Sequence, residues 1–357
     1  MANKILAINP GSTSTKIAVF EDEESVFVKN IKHSAEEIAQ FENIASQFHF
    51  RKDIIVKELE EAGYKVSDLN VIVGRGGLVK HIESGIYEVN EAMKKDLEIG
   101  VSGEHASNLG GLIADDIAKE NGNIKAYIAD PVVVDELQDV ARISGHPAFE
   151  RKSIFHALNQ KAIARTCAKE LGKKYEELNI IVAHLGGGVS VGAHYEGRVI
   201  DVNNALDGDG PFSPERTGGL PVGQLAKLCF SGEKTLDEVK KMIKGEGGLV
   251  AYLGTNDAYE VECKAKDGDE KAKYIQDAMS YQVGKAIGEM AAVLKGKVDG
   301  ICLTGGIAHN PFLVEYVKEM TSFIAPMFVY PGEDEMKALA MNGLSVLRNE
   351  IEPKEYK

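Results

Sequence analysis

Cysteine is scarce in this sequence, and the few cysteines present stand apart. The chain of 357 residues has four, at positions 167, 229, 263 and 302, with no C-x-x-C pair and no histidine at metal-ligand spacing. This pattern predicts reduced, structural thiols rather than a disulfide scaffold or a cysteine-bound metal. Reduced thiols suit the cytoplasm, which is where we expect the protein to work.

Long apolar runs and an excess of positive charge are missing as well. No stretch approaches the roughly 18 apolar residues of a membrane span, and the apolar run in the opening MANKILAI is too short for a signal peptide. The formal net charge is −14, and an acidic protein repels nucleic-acid phosphate and anionic lipid. We therefore expect no nucleic-acid and no membrane partner, and any anionic ligand must be held by a few placed cations.

The length and the hydrophobic pattern predict two domains of the α/β class. A chain of 357 residues exceeds the size at which one core keeps growing, and 44% hydrophobic residues are enough for two cores. Apolar residues at helical spacing end at a glycine in IVKELEEAG, at Gly63, and in HALNQKAIARTCAKELG, at Gly172. Helical spacing also runs through SAEEIAQFENIASQF and the final EMKALAMNGLSVLRNEI. The β-branched runs that predict strands include VIVG at 71–74, AYIADPVVV at 126–134, IIVAHLG from Ile180 and ICLTGG from Ile301.

The chain carries an internal repeat with an offset of 175 residues. This shift places ILAINPGSTSTKIAVF on IIVAHLGGGVSVGAHY, with Gly11 on Gly186. Each segment predicts a strand, a turn of small residues, a second strand, a polar turn and a third strand. A looser echo pairs VIVGRGG, from Val71, with ICLTGGIAHN, from Ile301. Two similar halves, each opening with a β-meander, predict a cleft in which the two small-residue turns face each other.

The two turns have a simple and a chemical interpretation. Pro-Gly and clustered Ser/Thr in INPGSTSTK are typical of a hairpin turn, and the three glycines of HLGGG could equally serve only to turn the chain. Successive backbone N–H groups with hydroxyl donors also form a nest that binds phosphate oxygens. Two facing nests would hold a polyphosphate. Neither a Walker A motif nor a dinucleotide fingerprint occurs, because here the glycines join strand to strand.

The motifs NPGSTSTK, HLGGG and LTGGIAHN, in this order, resemble the phosphate and adenosine motifs of the acetate and sugar kinase, heat-shock cognate and actin superfamily. Within it the whole chain resembles the carboxylate kinases of the acetate kinase family. The resemblance implies two duplicated actin-like, ribonuclease H-like domains, each a mixed sheet that opens with a β-meander and is flanked by helices, with a nucleotide cleft between them. It implies an N-terminal domain of residues 1–147 and 332–357, which carries the first nest and the carboxylate substrate. Residues 148–331 would bind the nucleotide.

The resemblance also implies the site residues and the cofactor. The implied catalytic residues are Arg75, Asp130, His156, Arg216 and Glu335. The implied ATP-binding residues are Asn9, Ser12, Ser14, Lys16, His184, Gly186, Gly187, Gly188, Asp257, Gly305, Gly306, Ile307 and Asn310. Mg²⁺, which would accompany ATP or ADP, is expected near Asn9, Asp130 and Glu335.

The two cations among the implied catalytic residues, Arg75 and Arg216, are both arginines, whose side chain suits phosphoryl and carboxylate oxygens. A planar guanidinium matches the oxygens of a transferring phosphoryl group or of a carboxylate better than an ammonium does. Arg216 lies in FSPERTGGLP, which is similar to a family stretch. Arg75 departs from the family pattern, because acetate kinases carry their arginine a few residues earlier, before a His-Gly-Gly.

Several residues of the set also have a purely structural interpretation. His156 could be a buried helical histidine satisfied by a neighbour. Asp130, which is predicted to end the strand in AYIADPVVV because Pro131 follows it, could cap a helix over PVVVDELQD. Glu335 could stand in the first turn of a helix, where the macrodipole alone favours an acid.

Tyr259 stands where acetate kinases have an arginine, and its ring could stack on the nucleotide base.

The implied reaction is reversible phosphoryl transfer between Mg-ATP and a short-chain fatty acid, giving an acyl phosphate and ADP. The third glycine of HLGGG and the chain length are typical of the branch that acts on butyrate or a branched analogue. Three alternatives stay open: an acetate or propionate kinase, a sugar or polyol kinase with Asp130 as its base, and a nucleotide-binding regulator. A homo-oligomer, either a dimer or a multiple of dimers, is also expected.

Overall fold

The structure is a computed structural model that describes residues 2–120, 122 and 124–357. These residues divide into two compact units. The first unit contains the described residues up to Val134 together with Asp334–Lys357, and the second contains Asp135–Glu333. No helix within these described ranges is long and apolar enough to cross a membrane.

Strands are found in both units. Those of the first unit are β1 Lys4–Pro10, β2 Ser14–Glu21, β3 Glu24–Lys32, β4 Val71–Arg75, β5 Ile86–Glu88 and β6 Lys125–Ala129. Those of the second unit are β7 Asn179–Leu185, β8 Val189–Tyr195, β9 Arg198–Val202, β10 Gly300–Gly305 and β11 Met327–Pro331.

Helices separate and follow these strands. In chain order the α-helices are α1 Ala35–Ile38, α2 Phe48–Glu61, α3 Glu91–Ile99, α4 Asn108–Glu120, α5 Asp139–Arg142, α6 Ala157–Glu170, α7 Val222–Phe230, α8 Leu236–Ile243, α9 Gly248–Leu253, α10 Ala258–Lys266, α11 Glu270–Val293, α12 Pro311–Thr321 and α13 Glu335–Leu347. Short 3₁₀ helices cover Ala45–Gln47, Val66–Asp68, Tyr175–Glu177 and Gly306–His309.

The two sheets share one topology over most of their width. The first has the strand order β3-β2-β1-β4-β6-β5 and the second β11-β10-β7-β8-β9. In each unit the first three strands form an antiparallel meander, and the opening strand pairs in parallel with a later strand, β1 with β4 and β7 with β10. The predicted duplication and the two opening meanders are confirmed.

Small residues let the helices of the first unit pack closely on its sheet. A Cβ atom at Gly110 of α4 would lie 2.4 Å from the carbonyl oxygen of Arg75, and one at Gly343 of α13 would lie 2.7 Å from Cγ2 of Val73. Helix–sheet contacts this close require glycine, because no other residue leaves room for the backbone. The C-terminal helix α13 is thereby held against β1 and β4.

The second unit is built around two strands that are buried along almost their whole length. β7 and β10 are buried on both faces, as expected for parallel strands covered by helices. Helices α11 and α12 contribute to a large hydrophobic cluster, and α6 adds Cys167, which lies with Cys302 in a smaller one. All four cysteines are free thiols, and these two are fully buried.

One expectation about secondary structure is confirmed to within one residue, and another is wrong in part. The strand in AYIADPVVV ends at Ala129, one residue before the predicted end at Asp130, because Asp130 has a φ of +37° and is followed by a proline. Of SAEEIAQFENIASQF only Ala35–Ile38 and the final Phe48, which begins α2, are α-helical, with a 3₁₀ helix over Ala45–Gln47. Ala35–Ile38 buries no side chain that could hold a longer helix against the core. The glycines predicted to end helices, Gly63 and Gly172, do so with φ of +83° and +67°.

Candidate active site

Three predicted residues of the first unit lie at one edge of its sheet. β1, β4 and β6 are parallel neighbours, so their carboxyl ends meet at the same edge. Asn9 lies near the end of β1, Arg75 ends β4 and Asp130 follows β6. In open α/β sheets this edge is where ligands bind.

Glu335, the first residue of α13, is held against two of these residues. Its Oε2 accepts hydrogen bonds from Arg75 Nη1 at 2.9 Å and from Asn9 Nδ2 at 2.5 Å, and its Oε1 lies 2.9 Å from Arg75 Nη2. The helix is capped by the preceding residue, because the Asp334 side chain accepts from the Lys337 N–H. A role in capping α13 therefore does not explain the position of the Glu335 carboxylate.

Asp130 does not cap a helix, so that alternative is wrong. No helix begins before Asp139 in this segment, and the backbone of Asp130 is left-handed. Its Oδ1 accepts hydrogen bonds from Ser84 Oγ at 2.6 Å and from the Gly85 N–H at 2.8 Å, and the residue is buried. These bonds orient a carboxylate at the sheet edge at the expense of backbone strain, an arrangement often found at functional sites.

The oxygen atoms at this edge suit a magnesium ion that arrives with a nucleotide. No group of three or more His, Cys, Asp or Glu side chains in the described ranges could hold a metal by itself. Mg²⁺ is commonly held by one or two carboxylates, substrate phosphates and several waters. The carboxylates of Asp130 and Glu335, with the amide of Asn9, fit that partial role.

The first small-residue turn is stabilised by an arginine that sequence reasoning missed. Arg51 of α2 is fully buried, and its guanidinium donates to the carbonyl oxygens of Gly11, Ser12 and Ser14 and to Thr15 Oγ1. Burial lowers the pKa of Arg51. Nothing in the local pattern FHFRKDIIVKELEE separates this arginine from its helical neighbours, so no sequence signal pointed to it.

The residues of the first turn that are predicted to bind ATP differ in how far their side chains are exposed. The N–H of Gly11 closes the turn by donating to the Ser14 carbonyl at 2.7 Å. Ser12 and Lys16 are exposed, and Ser14 is half-buried at the start of β2. Because the Gly11 N–H is already used in the turn, backbone N–H groups that contact a phosphate would have to belong to residues after Gly11.

The second turn brings His184, Arg216 and the three glycines together. The Gly186 N–H donates to the Gly188 carbonyl at 3.0 Å, which parallels the bond in the first turn. A Cβ atom at Gly186 would lie 3.0 Å from His184 Nε2, and one at Gly188 would lie 2.0 Å from Arg216 Nη1. The missing side chain of Gly188 thus makes room for the guanidinium.

Arg216 keeps hydrogen-bonding capacity for a ligand. Its Nη1 donates to the Ala205 carbonyl at 2.7 Å, and Glu215 is 3.9 Å from its Nη2. The buried Nε has no hydrogen-bond partner among the described residues. Burial lowers the pKa of Arg216. A desolvated guanidinium with an unused donor is well suited to an anion.

His156 precedes helix α6 and stacks on His184. The two ring centroids are 3.8 Å apart with an interplanar angle of 13°. His156 Nδ1 lies 2.9 Å from Ser190 Oγ, and His184 Nδ1 lies 2.8 Å from Asn159 Oδ1. His156 is therefore not a residue of the helix interior, and its ring lies next to the second turn.

Most of the ATP-binding residues predicted after position 250 line one pocket of about 780 Å³ in the second unit. Asp257, Tyr259, Gly306, Ile307 and Asn310 are all in its lining. Asp257 and Asn310 also cap α10 and α12, so each has a structural task as well. Gly305 has a φ of +91°, and a Cβ there would lie 2.3 Å from the Leu185 carbonyl oxygen, so only glycine fits.

Comparison with known proteins gives one consistent result. The model of the acetokinase family matches residues 148–325. Butyrate kinase 1 of Clostridium acetobutylicum is 58% identical over 354 residues, which cover 99% of this chain and 99% of that protein. Butyrate kinase 2 of the same organism is 58% identical over 357 residues, covering 100% of both.

A solved structure extends this likeness to the fold. The acetate kinase of Porphyromonas gingivalis superposes with a TM-score of 0.79 at 19% identity, covering 97% of this chain and 100% of that one. The actin-like fold predicted from the sequence is confirmed.

Proposed function

This chain belongs to the acetokinase family, and on that premise we propose that it is an ATP-dependent carboxylate kinase. The reaction is reversible phosphoryl transfer between ATP and butyrate or a branched analogue, giving an acyl phosphate and ADP. The observation that carries the proposal is the 58% identity, over the full length of both chains, to two proteins named butyrate kinase.

The second unit supports nucleotide binding. Its pocket of about 780 Å³ is large enough for an adenosine. Asp257 and Asn310 offer polar atoms, and the exposed ring of Tyr259 offers a stacking surface. We assign the base and ribose to this pocket and the phosphates to the turn at Gly186–Gly188.

The proposed chemistry needs charge neutralisation more than acid–base catalysis. A carboxylate substrate with a pKa near 4 to 5 is already ionised at neutral pH and needs no general base. A carboxylate oxygen forms a bond to the γ-phosphorus while the bond from that phosphorus to the ADP oxygen breaks. The transferring group spreads negative charge over its oxygens, which guanidinium and imidazole donors can stabilise.

We assign these donors to three residues. Arg75 and Arg216 would offset the charge, and His156 would donate to the transferring group. Mg²⁺, held with the nucleotide by oxygens of Asn9, Asp130 and Glu335, would neutralise part of the phosphate charge. Arg75 pairs with Glu335, so its guanidinium is held at the sheet edge.

The proposal also covers the roles of the two domains, the cellular compartment and the oligomeric state. Residues 1–147 with 332–357 would carry the carboxylate and the first phosphate-binding turn, and residues 148–331 the nucleotide. The four free thiols are compatible with a reducing cytoplasm. A dimer or a multiple of dimers is proposed, and light scattering after size exclusion measures it.

The direct test is an acyl-hydroxamate assay. Purified protein is incubated with Mg-ATP, hydroxylamine and straight and branched carboxylates of two to six carbons, with glycerol and glucose tested in parallel by ADP release. We expect the hydroxamate yield to peak at butyrate, isobutyrate or valerate. A peak at acetate or propionate would move the substrate assignment, whereas ADP release with a polyol and no hydroxamate would overturn the carboxylate kinase.

A further inference from the structure

A chain of buried hydrogen bonds runs from the core of the second unit to His156. Tyr175 Oη lies 2.6 Å from His194 Nδ1, and His194 Nε2 lies 2.9 Å from Gln160 Oε1. Gln160 Nε2 donates to Ser190 Oγ at 2.8 Å, and Ser190 Oγ lies 2.9 Å from His156 Nδ1. Tyr175, His194, Gln160 and Ser190 are all buried.

One contact determines the direction of these bonds. Gln160 Nε2 also lies 3.0 Å from the backbone carbonyl oxygen of Ser190. A carbonyl oxygen can only accept, so the amide nitrogen of Gln160, and not its oxygen, must face Ser190. The amide oxygen then faces His194 and can only accept, so His194 Nε2 carries a proton.

The other bonds follow from this orientation. With its proton on Nε2, a neutral His194 accepts at Nδ1 from the Tyr175 hydroxyl. Burial lowers the pKa of His194 well below its ordinary value, which keeps the ring neutral. At the other end, Ser190 Oγ accepts a hydrogen bond from Gln160 Nε2. Ser190 is fully buried, and among the described residues His156 Nδ1 is the one acceptor within reach of its hydroxyl, so the hydroxyl donates to His156 Nδ1.

We propose that Gln160 and Ser190 are positioning residues that hold His156 in the Nε2–H tautomer. An Nδ1 that accepts from Ser190 leaves the ring proton on Nε2, which makes that nitrogen a hydrogen-bond donor. A donor at Nε2 is what the transferring phosphoryl group requires, and this link to turnover rests on the proposed function. The tautomer itself does not depend on it.

The packing around Gln160 keeps the amide in place. A Cβ atom at Gly192 would lie 2.5 Å from Gln160 Oε1, so the amide occupies space that a glycine leaves on β8. A side chain wedged in this way cannot rotate freely, so the direction of the bonds is maintained by packing as well as by hydrogen bonding.

The test is a long-range ¹H–¹⁵N correlation spectrum of the histidine rings in the full chain, labelled with ¹⁵N-histidine at neutral pH. A His156→Gln variant assigns the signal. We expect the Nε2–H pattern in the unmodified chain. In Gln160→Glu, an ionised carboxylate cannot donate to the carbonyl or the hydroxyl of Ser190, so the bonds that orient Ser190 are lost. The Ser190 hydroxyl can then donate to the carboxylate, and we expect His156 to shift to the Nδ1–H form.

Tyr175→Phe is the matched control. It removes a buried hydroxyl from the same network and should lower the thermal midpoint, but the orientation of Gln160 is set by the Ser190 carbonyl, so His156 stays Nε2–H. Gln160→Glu should also lower kcat by about 100-fold and change the KM for ATP by less than about twofold.

The proposal and the proposed function fail separately. An Nδ1–H or doubly protonated His156 in the unmodified chain, or an unchanged tautomer in Gln160→Glu, would overturn the positioning role whatever the activity. The expected spectra in a protein without carboxylate kinase activity would support the tautomer assignment and refute the proposed function.

Discussion

Replacing Gly188 by alanine tests whether Arg216 acts in the reaction. The φ of residue 188 lies outside the left-handed region, so an alanine can adopt the same backbone conformation. Its Cβ would lie 2.0 Å from Arg216 Nη1 and 2.9 Å from Cζ. Non-bonded carbon and nitrogen atoms need about 3.5 Å, so the guanidinium must retreat by more than about 1 Å.

The size of the expected effect follows from this displacement. The retreat breaks the 2.7 Å hydrogen bond from Arg216 Nη1 to the Ala205 carbonyl. A shift of about 1 Å in a positioned group can cost about 100-fold in rate, and loss of one preorganised donor costs about 100- to 1,000-fold. We therefore expect kcat for hydroxamate formation to fall by about 100-fold or more, with a thermal midpoint that changes little.

Gly219→Ala provides the control. Gly219 lies in the same loop as Arg216, and a Cβ there would meet nothing closer than the Gly210 carbonyl oxygen at 3.9 Å. We expect its kcat to stay within about threefold of the unmodified protein. Full activity of Gly188→Ala would refute a catalytic role for Arg216, and equal losses in the two variants would attribute the effect to the loop itself.

Three further predictions concern stability and the first unit. Arg51→Met should lower the free energy of unfolding by about 2 to 4 kcal/mol, since it leaves the carbonyls of the first turn and the buried Thr15 hydroxyl without this donor. A loss below about 1 kcal/mol in a denaturant titration would contradict this. Glu335→Gln should reduce kcat/KM by about 100-fold by breaking the pair with Arg75, whereas Asp334→Asn, which keeps the helix cap, should not; equal values would refute it. Burial lowers the pKa of His194 below 6.5, so the unfolded chain binds its proton first and stability should fall as the pH drops below about 6.5, by at most about 1.4 kcal/mol per pH unit from this group. A His194→Gln variant should show a shallower fall in thermal midpoint between pH 7 and 5, and an identical profile would refute the assignment.

The repeated segments show how far sequence reasoning reaches. The meander at Ile5–Phe20 and its copy at Ile180–Tyr195 could be predicted because strand, turn and strand are local patterns. The ends of helices at Gly63 and Gly172 were predictable for the same reason, since a glycine directly after a helical pattern indicates a left-handed C′ residue.

Prediction from local sequence is limited where the structure of a short segment depends on contacts with distant residues. The strand of AYIADPVVV ends at Ala129 because the next residue takes a strained φ, which its hydrogen bonds to Ser84 and Gly85 support. Those partners are some 45 residues away, and no local pattern contains them. Likewise, local spacing in SAEEIAQFENIASQF predicts one helix, but Ala35–Ile38 has no buried face, and the run forms only this short α-helix and a 3₁₀ helix before α2 begins.

The sequence by itself determined the elements, their duplication and the types of side chain at each turn, because these depend on residues that are neighbours along the chain. Only the tertiary structure decided which distant side chains meet. Arg51 reaches the first turn from 40 residues away, and Gln160 orients Ser190 across 30 residues. Hydrogen-bond partners of this kind depend on the packing of whole helices and strands against each other, which no short stretch of sequence contains.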